Sequence, residues 1–235
     1  CVIFLVDFKS IADGFKGPFL CGLILFVGYG FQNYGLEATT PTNSAFITSI
    51  SVLMVPIILY MFKIEKISLR IWISVFLAFI GIQMISPSGF NIGDQLTFGC
   101  ALSFAIHIIM QDKFDKKKVI NFFVIQSMTA GLLSLLASFL IEPISQVVFS
   151  NEAIIAILIT GILGTTFALL VMIWAQKILS ASETAIIIAM EPVFAALFSV
   201  YFGYEVLGYI SYVGGAIVVF SVIFCELSRD TKLVN

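Results

Sequence analysis

The sequence predicts an all-α membrane protein: an inverted-repeat bundle with about eight membrane-spanning helices present. Three observations lead there. Of 235 residues, 60% are hydrophobic and only 11% are charged, whereas a soluble domain carries about a quarter charged residues. The apolar residues gather into runs long enough to cross hydrocarbon. The order of runs and loops repeats after 140 positions, an offset that inverts the second copy.

The mean hydropathy of +1.10 makes lipid the solvent for most of the chain. Eight apolar runs serve as candidate spans: 18–36, 43–62, 69–86, 95–111, 119–141, 153–175, 184–203 and 207–225. A stub at 1–6 reads as the end of an earlier span. Turn residues separate the runs: Pro41 and Asn43, Ser86 to Gly89, Glu142–Pro143, then Gly203 and Gly208. No gap is long enough for a folded domain outside the membrane.

All twelve Lys and Arg fall in alternate loops: 7–17, 63–70, 112–118, 176–183 and the tail after 225. The other loops carry Glu37, Asp94, Glu142, Glu152 and Glu205. Positive-inside sorting places the basic loops and the C-terminus in the cytoplasm of a multi-pass plasma (cell inner) membrane protein.

Under the 140-residue offset Ala45 meets Ala185, Phe62 meets Phe202, Glu65 meets Glu205 and Tyr34 meets Trp174. The offset covers five spans, an odd number, so the copies face opposite ways. Glu37 in an acidic loop then meets Lys177 in a basic one. Inverted repeats of this kind mark secondary transporters. The division is 1–86, the remainder of the first repeat; 91–227, the second; and 228–235, a cytoplasmic tail. The second repeat starts near Asn91, so roughly fifty residues are expected before Cys1, enough for one and a half to two helices. The intact bundle would then have ten spans.

At Phe31–Pro56 (FQNYGLEATTPTNSAFITSISVLMVP), Phe104–Lys113 (FAIHIIMQDK) and Trp174–Phe198 (WAQKILSASETAIIIAMEPVFAALF) the chain resembles the drug/metabolite transporter (DMT) superfamily, EamA-type branch. The resemblance covers nearly the whole chain. It implies the ten-helix DMT/EamA fold and the transport of amino acids, nucleosides, sugars or other metabolites. Two departures stand out. The family's first helix and most of its second are absent, and Tyr204–Glu205–Val206 stands where the family usually has Gly-Glu.

Polar side chains inside hydrocarbon are costly and belong on the bundle interior or a wet cavity. Ser44, Thr48 and Ser51 share one helical face. Thr184 and Glu191 occupy the offset positions of Ser44 and Ser51, and Ser103, His107 and Gln111 form a third stripe. With Thr165, these nine make the candidate translocation pathway. Interhelical packing by small residues is the competing reading for the hydroxyls. Gln32, Asn33, Tyr34, Trp174 and Gln176 lie at equivalent helix ends and are candidates for the cavity mouths; interface anchoring accounts equally well for Tyr34 and Trp174.

Glu191 is the most informative residue. An ionisable group at mid-span costs about 2.5–3.5 kcal/mol on the insertion scale. The nine Leu, Ile, Val and Phe of that span return roughly 4 kcal/mol and still insert it. Pro192 frees the carbonyl of Ile188, and Pro56 that of Val52, so a kink is expected in both helices. Glu191 reads either as a proton-coupling or amine-binding group, or as a protonated carboxyl holding the kink.

The sequence points to a secondary active transporter of a small neutral or zwitterionic metabolite (amino acid, nucleoside or drug-like amine), exporting by alternating access, with protons as candidate coupling ion. The alternatives are an intramembrane lipid-modifying enzyme and an inactive truncated membrane protein. No enzyme activity, cofactor, metal or nucleic-acid partner is expected, and the oligomeric state is left open. Cys1, Cys21, Cys100 and Cys225 lack ligand spacing and read as buried thiols. Apart from Arg70 at the edge of span 69–86, no Lys or Arg lies within a span to neutralise a phosphate, and no P-loop exists for ATP. The orientation is testable with reporters: green fluorescent protein inserted in loop 112–118 should fluoresce and alkaline phosphatase inserted at 142–152 should be active, and the reverse pattern would invert the topology.

Overall fold

A computed structural model describes residues 14–39, 41–64, 66–85, 91–114, 118–141, 150–201 and 208–226. The stub at 1–6, Glu65, Glu205, Gly203 and the turns at 86–89 and 142–143 lie outside these residues, as do Cys1, Lys9, Lys116, Lys117, Arg229 and Lys232. All regular structure among the described residues is helical. That outcome follows from the solvent: hydrocarbon offers the backbone no partner, so each segment bonds to itself.

The elements are α1 (Lys16–Leu36), α2 (Pro41–Thr48), α3 (Ser51–Met61), α4 (Leu69–Ile85), α5 (Ile92–Lys113), α6 (Val119–Ile141), α7 (Asn151–Ile159), a π-helical stretch (Thr160–Phe167), α8 (Ala168–Ala175), α9 (Ala181–Ile188), α10 (Glu191–Tyr201) and α11 (Tyr209–Glu226). Four of the expected spans are long, apolar helices: Lys16–Leu36, Ile92–Lys113, Val119–Ile141 and Asn151–Ala175, of 21 to 25 residues. At about 1.5 Å per residue they cover the roughly 30 Å of hydrocarbon.

Two expected spans, 43–62 and 184–203, are each broken in two. The breaks fall at Ser49–Ile50 and Ala189–Met190. The halves Pro41–Thr48 and Ser51–Met61 map onto Ala181–Ile188 and Glu191–Tyr201 under the same 140-residue offset, and so do the starts of α4 and α11. In the second copy Pro192 has no N–H to give Ile188, as the sequence implies. In the first copy the position differs from expectation. Pro56 is buried inside α3, which runs on through it, and the break comes earlier. The Thr48 and Ser49 hydroxyls donate to the carbonyls of Ser44 and Ala45, both at 2.8 Å. Such back-bonding bends helices. The chain then passes through i−3 bonds, Ile50 N–H to Ile47 O at 3.0 Å and Val52 N–H to Ser49 O at 3.1 Å, a 3₁₀-like step.

The helix ends are capped in kind. Ser180 and Glu183 form a reciprocal capping box at α9. At the end of α3, Lys63 adopts φ 52°. Ile64 N–H reaches Leu59 O at 2.9 Å and Lys63 N–H reaches Tyr60 O at 3.1 Å, a Schellman stop with a cation at the negative helix end.

The chain divides into two compact units, residues 1–26 with 110–179 and residues 27–109 with 180–235. Within the first, α6 packs on α8. A Cβ added at Gly22 would stand 2.6 Å from the Gln126 carbonyl, so α1 and α6 meet with backbones nearly touching. No side chain of α7 or the π stretch is buried. Leu158, Ile162, Leu163 and Phe167 stand exposed, a face suited to lipid.

Within the second unit, α3 crosses α9 and α2 crosses α10, while α4 packs along α11. Each half of one broken helix therefore meets the opposite half of the other, and the breaks lie across from each other. One apolar cluster (Val52, Val75, Ala78, Ile186, Ala189, Val193, Val218, Cys225) seals one side of this crossing. A second (Val55, Leu59, Ala105, Ile108, Ile109, Ala181, Ala185) joins it to α5. Gly81 and Gly215 provide a matched test of the α4–α11 contact. A Cβ at Gly81 would lie 2.6 Å from Gly214 O, whereas one at Gly215 meets its nearest atom at 3.7 Å. Gly81→Ala should lower stability in detergent by about 1–3 kcal/mol and Gly215→Ala should be near neutral. Equal thermal unfolding of the two variants would refute the tight contact.

Candidate functional site

The residues singled out in the sequence divide between the two units. Ser44, Thr48, Ser51, Ser103, His107, Thr184 and Glu191 belong to the second, with Gln32, Asn33 and Tyr34; Gln111, Thr165, Trp174 and Gln176 belong to the first. In the second unit α5 runs beside the first broken helix in the same direction. Thr39 meets Asp94, Thr48 meets Cys100, and Val55 and Leu59 pack with Ala105, Ile108 and Ile109. On the α5 stripe, Ser103 instead borders α1, where a Cβ at Gly28 would stand 3.3 Å from its Cβ.

The polar side chains of this region are buried. Ser44, Thr48, Ser51, Ser103, His107 and Thr184 are all at most 7% exposed. Most of their hydroxyl protons are spent within their own helices: Thr48 on Ser44 O, Ser103 on Gly99 O at 2.9 Å, Thr184 on Ser180 O at 2.9 Å. Each oxygen keeps a lone pair for a neighbour or a guest. The Ser44 hydroxyl is buried and has no partner among the described residues.

Glu191 is the first residue of α10, where the positive helix end favours a carboxylate. The residue is exposed. Cys100 of α5 lies near both Thr48 and Glu191. Thr48 is the last residue before one break and Glu191 the first after the other. The crossing thus gathers a carboxylate, a hydroxyl and a thiol.

In the first unit Gln111 Nε2 donates to Gln176 Oε1 at 2.8 Å, with both residues buried. The sequence put one in the pathway and the other at a mouth; the structure joins them. Tyr34 and Trp174 are exposed at 47% and 58%, as interface aromatics are. Thr165 is half-buried, on a stretch whose glycines Gly161 and Gly164 have open space where a Cβ would stand.

Two residues escaped the sequence reading. Cys100 passed for an inert thiol, although it stands three residues before Ser103 and extends that stripe by one turn. Asp94 passed for a loop acid. It is 1% exposed, accepts from the Thr39 hydroxyl and from Asn91 N–H at 2.7 Å, and caps α5 with Asn91. The N-x-x-D spacing just before an apolar run was its signal. Cys21, Cys100 and Cys225 are buried and not disulfide-bonded. Among the described residues no three His, Cys, Asp or Glu side chains cluster as metal ligands.

Comparison with known proteins fits this architecture. The EamA-like transporter family matches residues 1–86 and 91–226. An uncharacterized transporter of Archaeoglobus fulgidus is 35% identical over 233 residues, covering 97% of this chain and 73% of the relative. A second from that organism is 25% identical, covering 81% and 68%. The uncharacterized transporter YoaV of Bacillus subtilis is 22% identical, covering 78% and 66%. A protein of known crystal structure superposes with a TM-score of 0.76 at 16% identity, over 95% of this chain and 83% of its own, which establishes likeness of fold. With apolar helices in both matched segments and a relative above 30% identity over most of its length, this chain belongs to the EamA-like transporter family of multi-pass membrane proteins.

Proposed function

We propose that this membrane transporter exports a small neutral or zwitterionic metabolite, an amino acid, nucleoside or drug-like amine, from the cytoplasm by alternating access. The two repeats, 1–86 and 91–227, rock about the crossing of the broken helices. The chain lies in the plasma membrane with its C-terminus inside. The observation that carries this reading is the place of Glu191: the first residue after one helix break, on the half-helix that packs against α2, which ends at Thr48 before the other break. Discontinuous helices at mid-membrane are where transporters bind substrate and coupling ion, because free backbone groups there face a cavity instead of lipid. Glu191 binds a substrate ammonium or a proton, and Thr48, Ser51 and Ser103 supply lone pairs. The absence of Lys and Arg from the interior of the expected spans argues against a phosphate substrate.

The test is counterflow in proteoliposomes holding the full chain, with labelled amino acids, nucleosides and an amphipathic amine offered in turn. One class should accumulate. Glu191→Gln should lower its rate about tenfold or more, the effect of losing roughly 1.4 kcal/mol. Ser51→Ala should lower it a few-fold, the effect of losing one hydrogen bond of about 1 kcal/mol. Wild-type rates in Glu191→Gln, or no accumulation of any class, would sink the proposal.

A further inference from the structure

The turn from α3 to α4 carries three cations in eight positions, Lys63, Lys66 and Arg70. All three are exposed, and none has an ion-pair partner among the described residues. Glu65, the one acid between them, lies outside those residues. Local structure concentrates the charge. The Schellman stop turns the chain sharply at Lys63. Ser68 then opens α4 by accepting from Ile71 N–H at 3.3 Å. The rings of Tyr60 and Trp72 meet edge to face with centroids 6.1 Å apart, which holds the end of α3 against the start of α4. Lys63 comes three residues after Tyr60 and Arg70 two residues before Trp72, so both cations stand beside this ring pair.

The helix ends treat these charges unequally. Lys63 is offset in part by the negative end of α3. Arg70 is the second residue of α4, where the helix end is positive and the first turn holds no acid. The first N–H groups of that helix lack intrahelical acceptors and add to the same positive field. The flanking side chains show what kind of anion fits. Met61, Phe62 and Leu69 are 70%, 71% and 74% exposed. A soluble anion would leave them bare, whereas a phospholipid sets a phosphate at the turn and acyl chains alongside. Tyr60 and Trp72 are of the aromatic types that gather at headgroup level.

We propose that the α3–α4 turn is the docking surface for one anionic phospholipid of the leaflet that positive-inside sorting makes cytoplasmic. Its phosphate lies among Lys63, Lys66 and Arg70, and its chains run along Met61, Phe62 and Leu69. The lipid braces the end of α3 farthest from the break at 49–50. The inference needs no transported substrate, so it stands or falls apart from the transport reading.

The test reconstitutes the full chain in nanodiscs of equal phosphatidylglycerol and phosphatidylcholine and identifies the retained lipid by native mass spectrometry. One phosphatidylglycerol should stay bound, favoured roughly tenfold or more. Each cation near an anionic surface is worth about fivefold. Arg70→Gln should therefore lower the preference about fivefold, and the triple change Lys63→Gln, Lys66→Gln, Arg70→Gln should abolish it. Changing Lys16, Lys113 and Lys177 to Gln removes the same charge from other exposed positions and should leave the preference intact. In neutral detergent, phosphatidylglycerol should raise the unfolding temperature of the chain. Glycerol 3-phosphate, which has the anion without the acyl chains, should not. If the triple variant does not stay monodisperse, Arg70→Gln against Lys113→Gln makes the same comparison one charge at a time. Equal loss in the two sets of variants would reduce the effect to net charge, and an equal thermal shift with glycerol 3-phosphate would make the site one for soluble anions. Either result, or a wild-type chain that retains both lipids alike, would overturn the proposal.

Discussion

A peptide group inside hydrocarbon must find a hydrogen-bond partner, and the second unit is organised around the two places where the helical ladder cannot supply one. At Ser49–Ile50 and Ala189–Met190 the regular bonds give way to i−3 bonds. Side chains take part in the first break, where Thr48 and Ser49 turn back on their own carbonyls. Polar backbone loosened in this way is tolerated only where it is buried in protein or lines a cavity. The two breaks lie across from each other, and the apolar clusters around Val52 and Val55 enclose the crossing. The position of Glu191 follows from the same constraint. A carboxylate in the first turn after a break sits against the free N–H groups of α10, a better host than the middle of an unbroken helix.

The fold was largely legible because the signals that specify it are long and redundant. Apolar runs of some twenty residues have one structural solution in lipid, and the loops between them sort by charge. The helices Lys16–Leu36, Val119–Ile141 and Tyr209–Glu226 begin and end within a few residues of the apolar runs at 18–36, 119–141 and 207–225. The break in the first copy was misplaced because proline is a strong local signal and serine and threonine are weak ones. Pro56 is accommodated inside α3, and the bend comes from two adjacent hydroxyls whose back-bonds depend on rotamers that the sequence does not display.

The candidate site was legible only where a residue was costly enough to stand out. Glu191 and the stripe Ser44, Thr48, Ser51 were visible because polar groups in an apolar run demand a reason. Cys100 was not, because a thiol is cheap to bury and its neighbour Thr48 lies fifty-two positions away in sequence. Asp94 was misjudged for the opposite reason: an acid at a helix start is usually solvated. Here it is turned inward to hold Thr39, tying the end of the α1–α2 turn to the start of α5. The pairing of Gln111 with Gln176 likewise depends on a tertiary approach across sixty-five positions.

The near-contact of Gly81 with the Gly214 carbonyl has a mechanical corollary. At Gly81 no side chain separates α4 from α11, and on either side of it Val75 and Ala78 interlock with Val218 and Cys225, so neither helix can turn about its axis or slip along the other without first lifting away. Lifting would expose peptide groups and the glycine seam to lipid tails, which fill such a seam poorly. The pair consequently behaves as one stiff spar. Movement in this unit is left to the broken helices beside it, whose halves can change their angle by altering a few backbone torsions at 49–50 and 189–190 while every bond within α4 and α11 stays closed.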